Sequence, residues 1–138
     1  MSTRVFVYGT LKRGHGNNYR LARSPLVGRA TTMGRWAMLD GGFPVALSGD
    51  DGFIVGEVYE VSPNVLADLD RLESNGRMYR REVIDLELED GSFTEAWMYV
   101  GVEEFWADYT RPTTILSESD RLQWPTMIEV DETAPNGG

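Results

Sequence analysis

The first candidate for chemistry is a glycine-bracketed segment near the start of the chain. It reads Gly-Thr-Leu-Lys-Arg-Gly-His-Gly over residues 9–16 and follows a short apolar run that ends at Tyr8. Successive backbone N–H groups in such a turn can point into one concavity and bind a carboxylate or an oxyanion. Gly9 and Gly14 have the spacing of a phosphate-binding P-loop, but His15-Gly16 stands where that motif requires Lys-Ser/Thr. The segment therefore predicts another kind of anion-binding loop, or a plain glycine turn.

Glu73 is the second candidate, because of its phase on a predicted helix. The apolar residues between positions 65 and 72 form a stripe at helical spacing, and Glu73 falls inside the arc that they cover. A carboxylate turned toward the core near a helix C-terminus has its ionised form disfavoured, so its pKa rises toward that of a useful base. The alternative is that the helix ends at Leu72 and that Glu73 turns to solvent and pairs with Arg77.

The remaining candidates are weaker. His15 is the only histidine and the chain has no cysteine, so neither an ordinary transition-metal site nor a cysteine nucleophile can be built. Asp68 and Asp70 are two apart on the predicted helix and point to different sides, unlike a carboxylate pair. Tyr79 and Tyr99 stand at the entry and exit of a predicted hairpin, where each can offer a phenol to a pocket or pack in the core. We therefore predict no metal.

The elements that must position these residues are mostly strands. Seven segments have an apolar or alternating pattern typical of strands: residues 4–8, 27–33, 35–39, 45–47, 53–61, 79–89 and 93–100. Asn17 or Asn18 can cap a short helix that runs to Ala22. The clearest helix has Ser62 as its N-cap and Pro63 in its first position, and it should end by residues 75–76. The pattern predicts an α+β fold in which the sheet curls into a barrel with few helices.

The size and charge of the chain exclude several classes of protein. Its 138 residues can bury the core of one domain, and no run approaches the roughly 20 apolar residues of a membrane span. Residues 1–35 carry seven basic side chains and no acid, but the net charge of the whole chain is −9. An acidic chain repels phosphate backbones, which disfavours a nucleic-acid binder. We predict a cytoplasmic protein with neither nucleic-acid nor membrane partners.

Three segments taken together resemble one known family. They are VFVYGTLKRG at residues 5–14, GEVYEV at 56–61 and LDRLE at 69–73, the last followed by Tyr79 and Arg80. This ordered set resembles the gamma-glutamylcyclotransferase-like family, and the nearest branch is the gamma-glutamylamine cyclotransferase (AIG2-like) group. The resemblance implies a small mixed sheet curled into a barrel with flanking helices, and no metal or organic cofactor.

The resemblance also implies a reaction and the residues that carry it out. The α-amine of a small γ-glutamyl compound attacks its own γ-amide carbonyl, which gives 5-oxoproline and a free amine. By resemblance, Glu73 is expected to be the catalytic acid/base. The substrate-binding residues are expected to be Tyr8, Gly9, Thr10 and Leu11, with Tyr99 lining the pocket.

The chain departs from the family pattern in two places. The residue after the glutamate is commonly glycine in the family but is Ser74 here, which can change how the chain leaves the helix. The resemblance covers residues 4–102, so we expect the domain to span residues 1–102. Residues 103–138 are expected to be a C-terminal extension that packs on the domain or is partly disordered at its end, over 132–138.

Two other functions stay open at this point. A non-catalytic binding module of the same fold holds 5-oxoproline or a γ-glutamyl compound without turnover. An interaction protein acts instead through its acidic C-terminal part. The glycine loop together with Glu73 favours catalysis, because a decayed site has no reason to keep both.

Overall fold

The computed structural model describes residues 3–9, 11–40, 44–107, 116–117 and 121–123. In these ranges the strands are β1 (Thr3–Val7), β2 (Leu26–Thr32), β3 (Trp36–Asp40), β4 (Pro44–Ser48), β5 (Phe53–Val61), β6 (Tyr79–Leu88), β7 (Phe93–Gly101), β8 (Leu116–Ser117) and β9 (Arg121–Leu122). The helices are α1 (Pro63–Leu72), α2 (Glu103–Trp106) and a 3₁₀ helix (Asn18–Leu21). None of these helices has the length and apolar character needed to cross a bilayer.

Five of the strands close into a barrel. Their order is β1-β7-β6-β2-β5, and β5 pairs back onto β1. β1 is parallel to β7, whereas the other neighbouring pairs of the barrel are antiparallel. The predicted α+β fold, a small mixed sheet curled into a barrel with few flanking helices, is confirmed. The strands β3 and β4 form a separate antiparallel hairpin.

Alternation along β1 divides the core in two. Phe6 belongs to a buried cluster that takes residues from all five barrel strands and therefore fills the barrel interior. Val5 and Val7 belong to a second cluster, which includes Leu69 of α1 and so lies on the outer face that this helix covers. Because β1 is buried on both faces, its sequence is apolar at successive positions.

The seven strands expected from the sequence are confirmed, each within one residue of its predicted bounds. The short helix after residue 17 forms as a 3₁₀ helix, and Asn17, one of the two expected caps, is the residue at its N-cap position. The Asn17 side chain makes no capping hydrogen bond, and Asn18 instead donates to the carbonyl of Leu11. The two-residue strands β8 and β9 carry no sequence pattern long enough to predict them.

The helix α1 begins as its sequence predicts. The Ser62 hydroxyl accepts a hydrogen bond from the Val65 N–H at 3.2 Å, and Pro63 is the first helical residue. The helix ends at Leu72, and Ser74 leaves it in the left-handed conformation with a φ of +50°. Glycine adopts this conformation more readily than other residues do, so Ser74 makes the helix exit that the glycine expected from the resemblance would favour.

Parts of the chain beyond residue 102 pack on the barrel. The Trp106 ring meets Tyr79 edge-on at 5.7 Å, and its indole N–H donates to the Met78 carbonyl at 2.8 Å. The strand β9 pairs in parallel with the start of β5. The expected disorder of residues 132–138 falls outside the described residues, and the domain boundary at residue 102 stays a prediction.

Candidate active site

A cavity opens where β1 passes into the loop that follows it. The residues that line it come from β1, that loop, β4, the end of α1 and the start and end of the β6–β7 hairpin. They are Phe6, Val7, Tyr8, Gly9, Leu11, Pro44, Glu73, Tyr79 and Tyr99. The fold thus brings together all the site residues expected from the sequence except Thr10, which lies outside the described residues. Their roles in binding and catalysis stay predictions.

The loop begins at Gly9 because the chain passes close to β4 there. A Cβ atom added to Gly9 would lie 2.9 Å from Cγ of Pro44, inside normal contact distance. The Gly9 carbonyl then accepts a hydrogen bond from the Lys12 N–H at 3.0 Å, which closes the turn. Glycine is therefore needed for close approach to the cavity wall, and the sequence gives no sign that Pro44 forms this wall.

The Tyr8 hydroxyl holds three strands together at the cavity. It donates to the Tyr99 carbonyl at 2.7 Å and accepts from the Ala46 N–H at 3.0 Å, and Tyr8 is almost fully buried. Burial raises the pKa of this phenol well above its ordinary value, so it stays protonated. Tyr8 therefore shapes the cavity, while its hydroxyl is engaged with main-chain partners.

Glu73 brings the only carboxyl group among the residues that line the described cavity. It follows the last residue of α1, and its backbone N–H donates to the Leu69 carbonyl at 2.9 Å. Within the described ranges its half-buried carboxyl makes neither a hydrogen bond nor an ion pair. Burial raises the pKa of this carboxyl to about 7 from its ordinary value of 4.5.

The sequence allows two positions for Glu73, one turned toward the core and one turned to solvent after a helix that ends at Leu72, and the structure has a part of each. The helix does end at Leu72, as the alternative supposes, but Glu73 still turns into the cavity and not to solvent. Arg77, the partner considered for an exposed Glu73, instead places its guanidinium 5.3 Å from the centre of the Phe105 ring.

Tyr99 lines the cavity, and its hydroxyl is bound to a carboxylate of α1. The hydroxyl donates to Oδ1 of Asp70 at 2.7 Å, and Nε of Arg81 lies 2.7 Å from the same oxygen. Asp68 instead pairs with Arg20 at 3.1 Å, so the two aspartates do point to different sides. The supporting role of Asp70 is missed by the sequence reasoning, since its partners are 11 and 29 positions away.

Tyr79 is the tyrosine whose hydroxyl is available to the cavity. Its side chain is buried, and in the described part of the chain its hydroxyl has no hydrogen-bond partner. Burial raises the pKa of this phenol far above its ordinary value, and the nearby Tyr8 and Glu73 raise it further. A protonated phenol close to Glu73 is a hydrogen-bond donor to whatever fills the cavity.

Comparison with known proteins identifies the fold and its family. A family model described as gamma-glutamyl cyclotransferase, AIG2-like, matches residues 5–121. The chain belongs to this family. It is 37% identical over 97 residues to a family protein of Methanocaldococcus jannaschii, covering 69% of this chain and 81% of that one. It is 31% identical over 121 residues to the gamma-glutamylcyclotransferase family protein YtfP of Escherichia coli K12, covering 88% and 95%.

A solved structure is similar in fold over nearly the whole length. The crystal structure of an AIG2-like protein from Mus musculus has a TM-score of 0.68, covering 90% of this chain and 96% of that chain at 24% identity. Membership of the gamma-glutamyl cyclotransferase family supports an activity of the gamma-glutamylcyclotransferase type. The family match also continues past residue 102 and includes α2.

The described residues contain no cluster of metal-binding side chains. In the ranges given above, no three His, Cys, Asp or Glu side chains lie close enough together to bind one. What the cavity does offer is one titratable carboxyl, one free phenol and the main chain of the loop.

Proposed function

We propose that the protein converts a γ-glutamyl amide into 5-oxoproline and a free amine by intramolecular aminolysis, with Glu73 as the proton carrier. The observation that carries this proposal is the unpaired Glu73 carboxyl in the cavity, whose pKa burial raises to about 7. A carboxyl with this pKa can accept and return a proton near neutral pH, which is the requirement for general acid–base catalysis.

The proton balance of the reaction needs one such group. The substrate's α-ammonium gives up a proton to Glu73, and its nitrogen attacks the γ-carbonyl carbon to form a tetrahedral intermediate. The bond from that carbon to the leaving nitrogen then breaks, and Glu73 returns the proton to the leaving amine. The α-nitrogen then gives its second proton to the regenerated Glu73 carboxylate, which passes it to the departing amine. In all, the α-nitrogen loses two protons and the amine gains two, so that it leaves as an ammonium ion. No net proton is released.

The other cavity residues suit the remaining tasks. Attacking and attacked atoms belong to one molecule, so the protein mainly has to fold the substrate into an attack conformer. Gly9 has no side chain and borders the cavity with its main chain, which suits a carboxylate or a developing oxyanion. The free hydroxyl of Tyr79 is a further donor in reach of the same space. Phe6 and Val7 give the cavity apolar walls.

The test is a panel of γ-glutamyl compounds, including amino-acid, lysine-isopeptide and small-amine derivatives, with 5-oxoproline release as the readout. We expect turnover of at least one compound by the parent protein. Glu73→Gln keeps the volume of the side chain but cannot carry the proton, and should lose about 10²–10⁴-fold in kcat. Asp68→Asn is the matched control, because Asp68 lies on the same helix but pairs with Arg20 away from the cavity.

Two outcomes would count against the proposal. Glu73→Gln activity equal to that of Asp68→Asn would place the base elsewhere. Binding of 5-oxoproline without turnover of any compound would make the protein a binding module of the same fold. Asp70→Asn does not serve as a control, since Asp70 holds the Tyr99 hydroxyl.

A further inference from the structure

A buried carboxylate outside the cavity fastens the loop after β1 to the barrel. Glu57 on β5 is 7% exposed, and its Oε1 accepts hydrogen bonds from the Arg13 backbone N–H at 2.9 Å and the Tyr59 hydroxyl at 3.0 Å. Its other oxygen lies 3.7 Å from Nε of Arg13. A carboxylate is costly to bury unless it is paired and hydrogen-bonded, and here Arg13 of the loop provides the charge partner and one of the two hydrogen bonds, while Tyr59 of β5 provides the other. The loop position and the carboxylate therefore depend on each other.

The same network reaches a residue that lines the cavity. The Asn18 side-chain amide donates to the Leu11 carbonyl at 2.9 Å and lies 3.3 Å from the Tyr59 hydroxyl. Burial raises the pKa of Tyr59 to about 12, so its hydroxyl stays protonated and donates to Glu57. Leu11 borders the cavity, whereas Glu57 does not. Hydrogen bonds thus lead from Glu57 to the main chain at both residues 11 and 13.

We propose that Glu57 is a positioning residue that, through Arg13, Tyr59 and Asn18, holds the loop at residues 11–13 in the position in which it binds the substrate. The inference rests on the proposed function. Glu57 neither lines the cavity nor contacts Glu73. Its loss should therefore change the affinity of the loop for the substrate and leave the position of Glu73 unchanged. In this proposal that part of the loop binds the carboxylate of the substrate, an interaction made equally in the bound and transition states, so its loss raises KM and leaves kcat unchanged.

The central variant is Glu57→Gln, which keeps the shape and one acceptor oxygen but removes the charge. We expect KM for the γ-glutamyl substrate and Kd for 5-oxoproline to rise together by about 10- to 100-fold, the usual range for a lost charged hydrogen bond, with kcat changed less than about 3-fold. Tyr59→Phe keeps the ring and removes the hydroxyl. It should also raise KM and Kd, but by a smaller factor than Glu57→Gln does.

The matched control is Glu60→Gln. Glu60 lies on the same strand and forms a more exposed ion pair with Arg4 at 3.3 Å, without contact to the loop. We expect its KM, Kd and kcat to equal those of the parent. Amide hydrogen exchange measures how firmly the loop is held in the absence of substrate. The backbone amide of Arg13 should exchange faster in Glu57→Gln than in Glu60→Gln.

The outcomes separate a positioning role from a structural one. A lower Tm for Glu57→Gln with KM, Kd and Arg13 exchange at parent values would make Glu57 a structural residue and overturn the inference. A fall in kcat at unchanged KM would also overturn it. If the parent turns over no γ-glutamyl compound, the proposed function fails and the substrate part of the inference fails with it. The anchoring of the loop is then decided by Arg13 exchange alone.

Discussion

Glu73 reaches the cavity because α1 ends one residue before it. The helix delivers the carboxyl to a cavity whose other walls are tyrosine rings, aliphatic side chains and main chain, and no cation among them offsets its burial. Desolvation then disfavours the charged form, which is the direction a general base working near neutral pH needs. The raised pKa of Glu73 should therefore be detectable in two independent measurements, one of activity and one of stability.

The activity measurement is the pH dependence of kcat/KM. Since the base form of Glu73 is lost as pH falls through its raised pKa, the acidic limb should have its midpoint near 7 and not near 4.5. Asp68→Asn should leave this limb in place, and the residual activity of Glu73→Gln should lack it. A limb centred near 4.5 in the parent would contradict the buried, unpaired state of the carboxyl.

The stability measurement compares parent and Glu73→Gln across pH. Below 4.5 the carboxyl is protonated in both folded and unfolded states, so it makes no pH-dependent difference. Between 4.5 and about 7 the unfolded state ionises first, and stability falls as pH rises. We expect the parent to lose about 2–3 kcal/mol relative to Glu73→Gln over this interval, somewhat less than the full shift because the group is only half-buried. Parallel curves from denaturant titrations would contradict this.

At the scale of elements, the exit of α1 is under strain that can be relieved. Ser74 has a φ of +50°, a conformation that costs an L residue about 1–2 kcal/mol, whereas glycine adopts it freely. Glycine also loses more freedom on folding, so we expect Ser74→Gly to raise the free energy of unfolding by about 0.5–1 kcal/mol. Urea denaturation checks this.

A substitution at the start of the same helix should have the opposite effect on stability. Ser62→Ala removes the cap of the Val65 N–H and should lower the free energy of unfolding by about 1 kcal/mol. Both variants should retain turnover, since neither side chain lines the cavity. Destabilisation by Ser74→Gly would show that the serine side chain has a role the backbone angle does not explain.

At the scale of the whole molecule, the barrel closes where β1 and β5 approach closely. A Cβ atom added to Gly56 would fall on the Val7 carbonyl oxygen and lie 2.8 Å from the Phe6 ring. Gly56→Ala must therefore open the seam of the barrel, and we expect a loss of about 3 kcal/mol or more in unfolding free energy. Gly34→Ala is the control, because an added Cβ there meets nothing within 4 Å. Equal stability of the two variants would contradict this closure.

Much of the fold and part of the site follow from the sequence for a physical reason. Strand alternation is a local pattern, so the strands can be predicted from short windows. The stripe of α1 leaves two directions for Glu73, toward the core or to solvent, and only the fold shows that it enters the cavity. Pro44, Asp70 and Glu57 act through partners distant in sequence: Gly9 for Pro44, Tyr99 for Asp70 and Arg13 for Glu57. Which residues meet across such separations depends on how the barrel closes, and no local pattern encodes it.

The pairing of β1 with β7 also sets when the cavity can form. Val5 and Phe6 pair with Trp97 and Met98, more than ninety positions later. The Tyr8 hydroxyl likewise cannot make its hydrogen bond until the Tyr99 carbonyl is present. A chain made from its N-terminus holds the loop early but lacks the strand that closes the barrel until β7 has been synthesised. Contacts of such long separation are also slow to form. The cavity is therefore among the last features to form, and a nascent chain lacks it until its barrel is complete.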